Sequence, residues 1–332
     1  MSGYSLGTVS RVLNNHPDVS DKARERVMTV VRKENFQSNT NARFLKMQAK
    51  SSIAIFVKGT QNVLFADILE RIQALLRDSG EEEFVCYLDE DADEVGYALQ
   101  VCRERQPEGL LFLGGNLEYF RENFSQISLP SVLLTNAARE LSFPNLSSFT
   151  TDDEAAAGQV IDYLVSMGHR RIGVLGGNLS DSQISCRRIR SCQKRLEQYG
   201  LPFDIKKQFE PCRFSMQAGY DAAARLLRHN PELTAVFALS DVIAFGAMRA
   251  ARDLGLHVPE DISLIGYDGI SISRFSIPRL ATIRQDTEQL ARQGVDALLQ
   301  RIHYEHVPVH EVIPFQLIPG ESVRREIPDK KG

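Results

Sequence analysis

Hydrophobic positions change their spacing twice along this chain. Near the N-terminus Val9, Val12 and Leu13 fall at i, i+3 and i+4 behind Ser5, a side chain suited to capping a first turn, and predict a short helix with one buried face. The turn-forming stretch NHPDV follows, and then Ser20 precedes a second stripe of Ala23, Val27, Val30 and Val31. That second helix carries Lys22, Arg24, Arg26, Arg32 and Lys33, so its face away from the stripe is basic.

From Ser52 the helical spacing alternates with short, continuous apolar runs, as in a parallel sheet covered by helices on both faces. SIAIFV (52 to 57) reads as a buried strand, and Phe65, Ile68, Leu69, Ile72 and Leu76 form the stripe of the helix after it. FVCYL (84 to 88), a helix over roughly 93 to 104, LLFLG (110 to 114) and SVLL (131 to 134) continue the rhythm. Around Phe143 to Thr151 the chain reads as a polar loop. The alternation then restarts with a helix from Ala155 to Met167, the strand RIGVLGG and helices near 185 to 199 and 216 to 229. AVFAL (235 to 239), a helix from 241 to 254 and ISLIGYD complete it. The pattern predicts two similar α/β halves.

Composition refines this reading. The chain has 332 residues, 43% of them hydrophobic, enough to bury a full core in two or three domains or subdomains. A net charge of −4 conceals an asymmetry: the first fifty residues hold nine Lys/Arg against four Asp/Glu, and the remainder 30 against 39. A basic head on an acidic body fits an end that meets phosphate and a body that does not. Five cysteines (Cys86, Cys102, Cys186, Cys192 and Cys212), with no CxxC, suggest neither a disulfide framework nor a zinc site. No segment resembles a signal peptide or approaches the ~20 apolar residues of a membrane span, so a cytoplasmic protein without membrane partners is expected.

The Gly114-Gly115 and Gly176-Gly177 pairs end predicted strands but complete neither GxGxxG nor GxxxxGK[ST], and read as tight turns rather than nucleotide loops. Scattered histidines, acidic runs such as Glu81-Glu82-Glu83 and Asp89-Glu90-Asp91, and the lack of GxSxG give catalysis little support. No enzyme, cofactor or metal is expected. A binding cleft is better supported, because ligands of open α/β sheets lie beyond the carboxyl ends of the strands. Asp268 ends ISLIGYD, Ser240 and Asp241 end AVFAL, Arg188 lies early on the helix after RIGVLGG, and Leu64 and Phe65 open the first helix of the other half. A carboxylate accepting from two hydroxyls, a guanidinium donating to oxygens and an apolar cover suit a small hydroxylated ligand.

GYSLGTVSRVLNNHPDVSDKARERV resembles the DNA-binding head of the lactose repressor (LacI/GalR) family, whose pattern is AGVSxxTVSRVLN, a turn and VSxxTRxRV; Thr8 to Asn14 match it letter for letter. SNTNARFLK is similar to the family's PNxxARxLx hinge, with Ser38 in place of Pro. GHRRIGVLGG, LGLHVPEDISLIGYD and PRLATIRQD extend the likeness to about residue 325. The resemblance implies an α/β, periplasmic-binding-protein-like effector domain of two lobes, each a doubly wound parallel sheet, preceded by a small all-α helix-turn-helix head. Residues 1–38 would form the head, 39–50 the hinge, 51–150 with 284–325 the first lobe and 151–283 the second.

It further implies that Leu6, Gly7, Ser10, Arg11 and Asn14 face DNA, that Arg11 reads guanine with its planar fork, and that Leu45 wedges into the minor groove. The family's effector contacts carry over to Arg188 in RRIRSC, to Asp268, to Leu64-Phe65 in NVLF and to Asp152, with Ser240 beside them. The departures are RSC for [LA]GF and Leu64 for an aromatic. The family's head begins with a further helix, whereas Met1 falls almost on the turn, so a partial head with poor operator binding is expected of the sequence as given.

The implied function is a ligand-responsive repressor, a homodimer on pseudo-palindromic operator DNA, with a sugar or similar small polar effector. Effector binding would shift a population between lobe arrangements and so alter DNA affinity. Two other readings stay open: an effector-sensing remnant without specific DNA binding, and a periplasmic-type small-molecule binding protein. A Rossmann-type enzyme stands behind them.

Overall fold

The computed structural model describes residue 12 and residues 20–33, 52–59, 61–180, 183–304 and 306–326. The chain divides into two compact units, Met1–Ser51 and Ser52–Gly332. In the first, α1 (Asp21–Lys33) begins where the Ser20 hydroxyl accepts from the Ala23 N–H at 3.4 Å. Its stripe residues Ala23 and Val27 are buried, as is Val12. The expected DNA contacts Leu6, Gly7, Ser10, Arg11, Asn14 and Leu45, and the hinge 39–50, lie outside the described residues.

The second unit holds both lobes. In the first, β1 (Ser52–Lys58) leads through the Asn62 cap into α2 (Val63–Asp78), which buries Leu64, Phe65, Ile68, Leu69, Ile72 and Leu76. β2 (Glu82–Leu88), α3 (Glu94–Arg105), β3 (Gly109–Leu113), α4 (Leu117–Asn123), β4 (Ser131–Leu134) and β5 (Leu146–Thr151) follow. β1, β3 and β4 are buried almost end to end and mostly apolar because both faces of a parallel sheet are covered, whereas the edge strand β2 is half exposed.

The second lobe contains α5 (Asp153–Ser166), β6 (Ile172–Leu175), α6 (Ile184–Gln198), α7 (Ile205–Gln208) and β7 (Phe209–Glu210). It continues with α8 (Met216–His229), β8 (Ala235–Ala238), α9 (Asp241–Asp253), β9 (Ser263–Asp268) and β10 (Ala281–Gln285). α8 and α9 pack backbone to backbone at Gly246, where a Cβ would meet the Met216 carbonyl. The chain then returns to the first lobe as α10 (Thr287–His303) and β11 (His310–Ile313), and crosses again to β12 (Phe315–Ile318). The sheet orders are β11-β5-β4-β3-β1-β2 and β12-β10-β9-β8-β6-β7, parallel except for β12, which runs antiparallel to β10.

Two expectations are corrected. Leu146–Thr151, within the stretch read as a polar loop, is a fully buried strand: partners on surrounding segments satisfy its hydroxyls, as where Ser147 Oγ accepts from the Val309 N–H at 3.1 Å and Ser148 Oγ from the Ala138 N–H at 3.0 Å. The segment 284–325 does not complete the first lobe alone. Beyond Pro314 it joins the second sheet, and the Ser322 hydroxyl donates to the Leu264 carbonyl at 2.6 Å.

Candidate functional site

The carboxyl ends of both sheets face one crevice, the place where open α/β sheets hold ligands. A cavity of about 340 Å3 lies there, walled by both lobes and large enough for a small polar molecule.

Arg188 forms the floor of the second-lobe wall. The chain turns after β6 at Gly177 (φ +66°), where a Cβ would strike Ser185 in the first turn of α6. Arg188, one turn along, is only 5% exposed. Its Nε donates to Asp153 Oδ1 at 2.6 Å and another guanidinium nitrogen to the Leu239 carbonyl at 2.8 Å. The guanidinium lies 3.6 Å from the centre of the Tyr267 ring, whose hydroxyl donates to the same Asp153 oxygen at 2.9 Å. Burial works against the charge on Arg188, but Asp153, Tyr267 and Asp268 outweigh it and raise its pKa above the ordinary arginine value. Burial, reinforced by Asp153, holds the Tyr267 hydroxyl well above the usual phenol range, so it stays a neutral donor.

Asp268 ends β9 with φ 114°, a left-handed backbone angle costly for a residue with a Cβ. Its Oδ2 accepts from Ser240 Oγ at 2.6 Å and its Oδ1 from Gln285 Nε2 at 2.9 Å. Burial pushes its pKa up to about 6, against the opposing pull of Arg188 and both hydrogen bonds. Gln285 in turn accepts from Thr151 Oγ1 at 2.9 Å, so the side chains at two lobe crossings bond to each other and to the candidate anchor. Behind them Asp241 accepts from Thr282 Oγ1 at 2.6 Å; burial, and then Asp268, raise its pKa well above the usual carboxylate range.

The first-lobe wall sets Leu64 and Phe65 among polar side chains, Asn62, Thr135 and Asn136 included. Leu64 and Phe65 begin α2, and the Phe65 ring lies so close to Gly114 (φ +75°) that a Cβ there would come within 2.8 Å of it. Lys58 also lines the cavity, but its Nζ is 2.5 Å from Glu94 Oε2, which removes its charge from the balance a ligand meets. Burial raises the Glu94 pKa and Lys58 opposes the rise.

Leu64, Phe65, Arg188 and Asp268 therefore meet at one cavity. Ser240 stands one step behind, buried against Asp268. Asp152 is not part of the lining: it is exposed and caps α5, accepting from the Ala155 N–H at 2.9 Å, while its neighbour Asp153 turns inward to Arg188. Sequence reasoning did not single out Asp153, Gln285, Arg213 or Phe214. Gln285 stood inside PRLATIRQD, a stretch already noted for its family likeness, whereas Arg213 and Phe214 belong to no motif.

Among the described residues no helix is long and apolar enough to cross a membrane. Residues 1–39 match the bacterial regulatory proteins of the lacI family, and residues 161–323 match a periplasmic binding protein-like domain. The HTH-type transcriptional regulator MalR of Clostridium butyricum is 30% identical over 330 residues, 97% of this chain and 96% of that protein. The lac repressor dimer bound to operator and the anti-inducer ONPF superimposes with a TM-score of 0.70 at 25% identity, covering 97% of this chain and 96% of that one. A LacI family transcriptional regulator from Enterococcus faecium with bound ribose gives 0.71 at 25% identity, covering 83% of this chain and all of that one.

Proposed function

The chain belongs to the lacI family of bacterial regulatory proteins and is a ligand-responsive transcriptional regulator, and we propose that it is a repressor whose effector, a sugar or similar small polar molecule, binds between Arg188 and Asp268. The observation that carries the site is their joint presence in the cavity beyond the strand ends, Asp268 closing β9 and Arg188 reaching in from α6, with Leu64 and Phe65 in the same lining. A buried carboxylate already held by Ser240 and Gln285 is oriented to accept from ligand hydroxyls, and a guanidinium stacked on Tyr267 is oriented to donate to ligand oxygens. The ribose bound by the Enterococcus faecium regulator supports a sugar as the effector class.

On this reading the protein is a homodimer on pseudo-palindromic operator DNA, as the operator-bound lac repressor dimer supports. The second lobe offers an apolar surface suited to a second copy: Phe275 is 77% and Ile277 96% exposed in the segment between β9 and β10. Asp152, an exposed helix cap outside the cavity lining, is left out of the proposed site. As a member of a family of DNA-binding regulators the protein is read as a binder rather than an enzyme, and a regulator that acts on DNA works in the cytoplasm. A likeness to a transcriptional regulator along 97% of the chain does not favour the remnant or periplasmic readings.

Calorimetry with a panel of simple sugars, ribose included, tests the site. Arg188→Ala and Asp268→Ala are each expected to weaken binding by roughly 2–4 kcal/mol, since the loss includes an unpaired polar partner. Wild-type affinity in both variants would overturn the assignment. Fluorescence anisotropy on a palindromic site from the protein's own promoter, with and without the effector so found, tests repression.

A further inference from the structure

One second-lobe cation spans the mouth of the cleft. Arg213, in the loop after β7, approaches three consecutive first-lobe carboxylates beyond β2. A terminal guanidinium nitrogen is 2.6 Å from Asp89 Oδ1, Nε is 3.6 Å from Glu90 Oε2, and the other terminal nitrogen is 3.7 Å from Asp91 Oδ2. The Phe214 N–H adds a hydrogen bond to the same Glu90 oxygen at 3.1 Å. On the first-lobe side, Asp89 is held in a turn by accepting from the Asp91 N–H at 3.0 Å. Asp89, Glu90, Arg213 and Phe214 all line the cavity, so this contact and the effector share one wall.

We infer that Arg213 is a positioning residue for effector control: its clamp on Asp89, Glu90 and Asp91 forms only when the lobes meet, and it sets how far the cleft stays closed. This rests on the cavity being the effector site. The ion pairs within one lobe, Lys58–Glu94 and Arg188–Asp153, survive any movement of the lobes as rigid bodies; the Arg213 contacts do not, and opening breaks them together. A single half-exposed pair is weak. Three carboxylates around one guanidinium, joined by a backbone hydrogen bond in the same place, act as a network whose strength falls with ionic strength. An effector that prefers the closed arrangement then needs to supply only the remainder of the closing free energy, because a ligand shifts such an equilibrium by its differential affinity alone.

The test uses the full chain without effector, so it does not depend on which molecule binds. Dyes attached by amber suppression at exposed positions 104 in the first lobe and 206 in the second report the distance between lobes by energy transfer. Arg213→Ala is expected to move the open-to-closed ratio toward open by roughly threefold to tenfold. Salt at about 1 M, where the Debye length is ~3 Å, should move the wild type the same way and leave Arg213→Ala unmoved. Arg213→Lys should recover part of the closure. Asp89→Asn with Asp91→Asn should reproduce the opening from the other lobe, which provides a second reading should Arg213→Ala fold poorly. Unchanged energy transfer in the variants, or a wild type indifferent to salt, would overturn the inference. If the distances respond as expected while Arg188→Ala and Asp268→Ala keep full effector affinity, the effector site is misplaced and the clamp stands.

Discussion

Arg188 Nε lies 2.6 Å from Asp153 Oδ1, and both side chains are almost entirely buried. A buried ion pair of this kind orients more than it stabilises, since desolvation offsets most of the attraction; removing one partner is costly because the other is left charged and alone.

Asp153→Ala should therefore destabilise the second lobe by about 3–5 kcal/mol, whereas Asp152→Ala, which loses only a helix cap, should cost about 1 kcal/mol. Urea denaturation of both variants makes the comparison. Equal losses would show that the inward carboxylate has no special part.

Burial raises Asp268 to about 6, above the ordinary carboxylate value. A carboxyl group raised in the folded state contributes stability that is fully present below its unfolded pKa and lost as pH rises through the folded one. Stability should thus fall between about pH 4 and pH 6, by roughly 3 kcal/mol if Asp268 acted alone. Asp268→Asn, whose amide can donate to Ser240 and accept from Gln285 as the protonated acid does, should flatten this slope in thermal unfolding across the same range. An undiminished slope would assign the titration elsewhere.

Ile277, 96% exposed, and Phe275 are the apolar side chains proposed to meet a second copy. Ile277→Asp should weaken the dimer at least about tenfold, as expected where a buried contact becomes a desolvated charge. Analytical ultracentrifugation reads this directly. The same measurement on residues 52–332, which form a compact unit, should still find a dimer, and a monomer at micromolar concentration would argue against lobe-borne dimerisation.

In the head, Val27 is 1% exposed on α1. Val27→Asp places a charge in that interior and should abolish operator binding while leaving effector binding intact. Anisotropy on operator DNA and calorimetry with the effector separate the two. Operator affinity equal to that of wild type would mean that α1 does not support the DNA-binding surface.

The alternation of strands and helices was legible because doubly wound parallel sheets write it strongly. Strands covered on both faces become apolar runs such as SIAIFV and SVLL, and helices laid over them keep a 3.6-residue stripe, so α8 occupies the predicted residues 216–229. β5 escaped because LSSFTT carries hydroxyls where its neighbours carry methyl groups, and partners from β10 and the segment before β11 make those hydroxyls tolerable inside.

Local pattern also located Leu64, Phe65, Arg188 and Asp268, each beside a strand end that the sequence announces. It did not decide between Asp152 and Asp153. One residue of helix turns a side chain by about 100°, and only the docking of α5 determined which carboxylate faces Arg188. Arg213 and the carboxylates of residues 89–91 lie more than a hundred residues apart in two different lobes. No local periodicity links such a pair, so the return of the chain through its lobe crossings decided that contact: attraction between charges depends on their separation in space, which sequence spacing does not encode across two independently wound sheets.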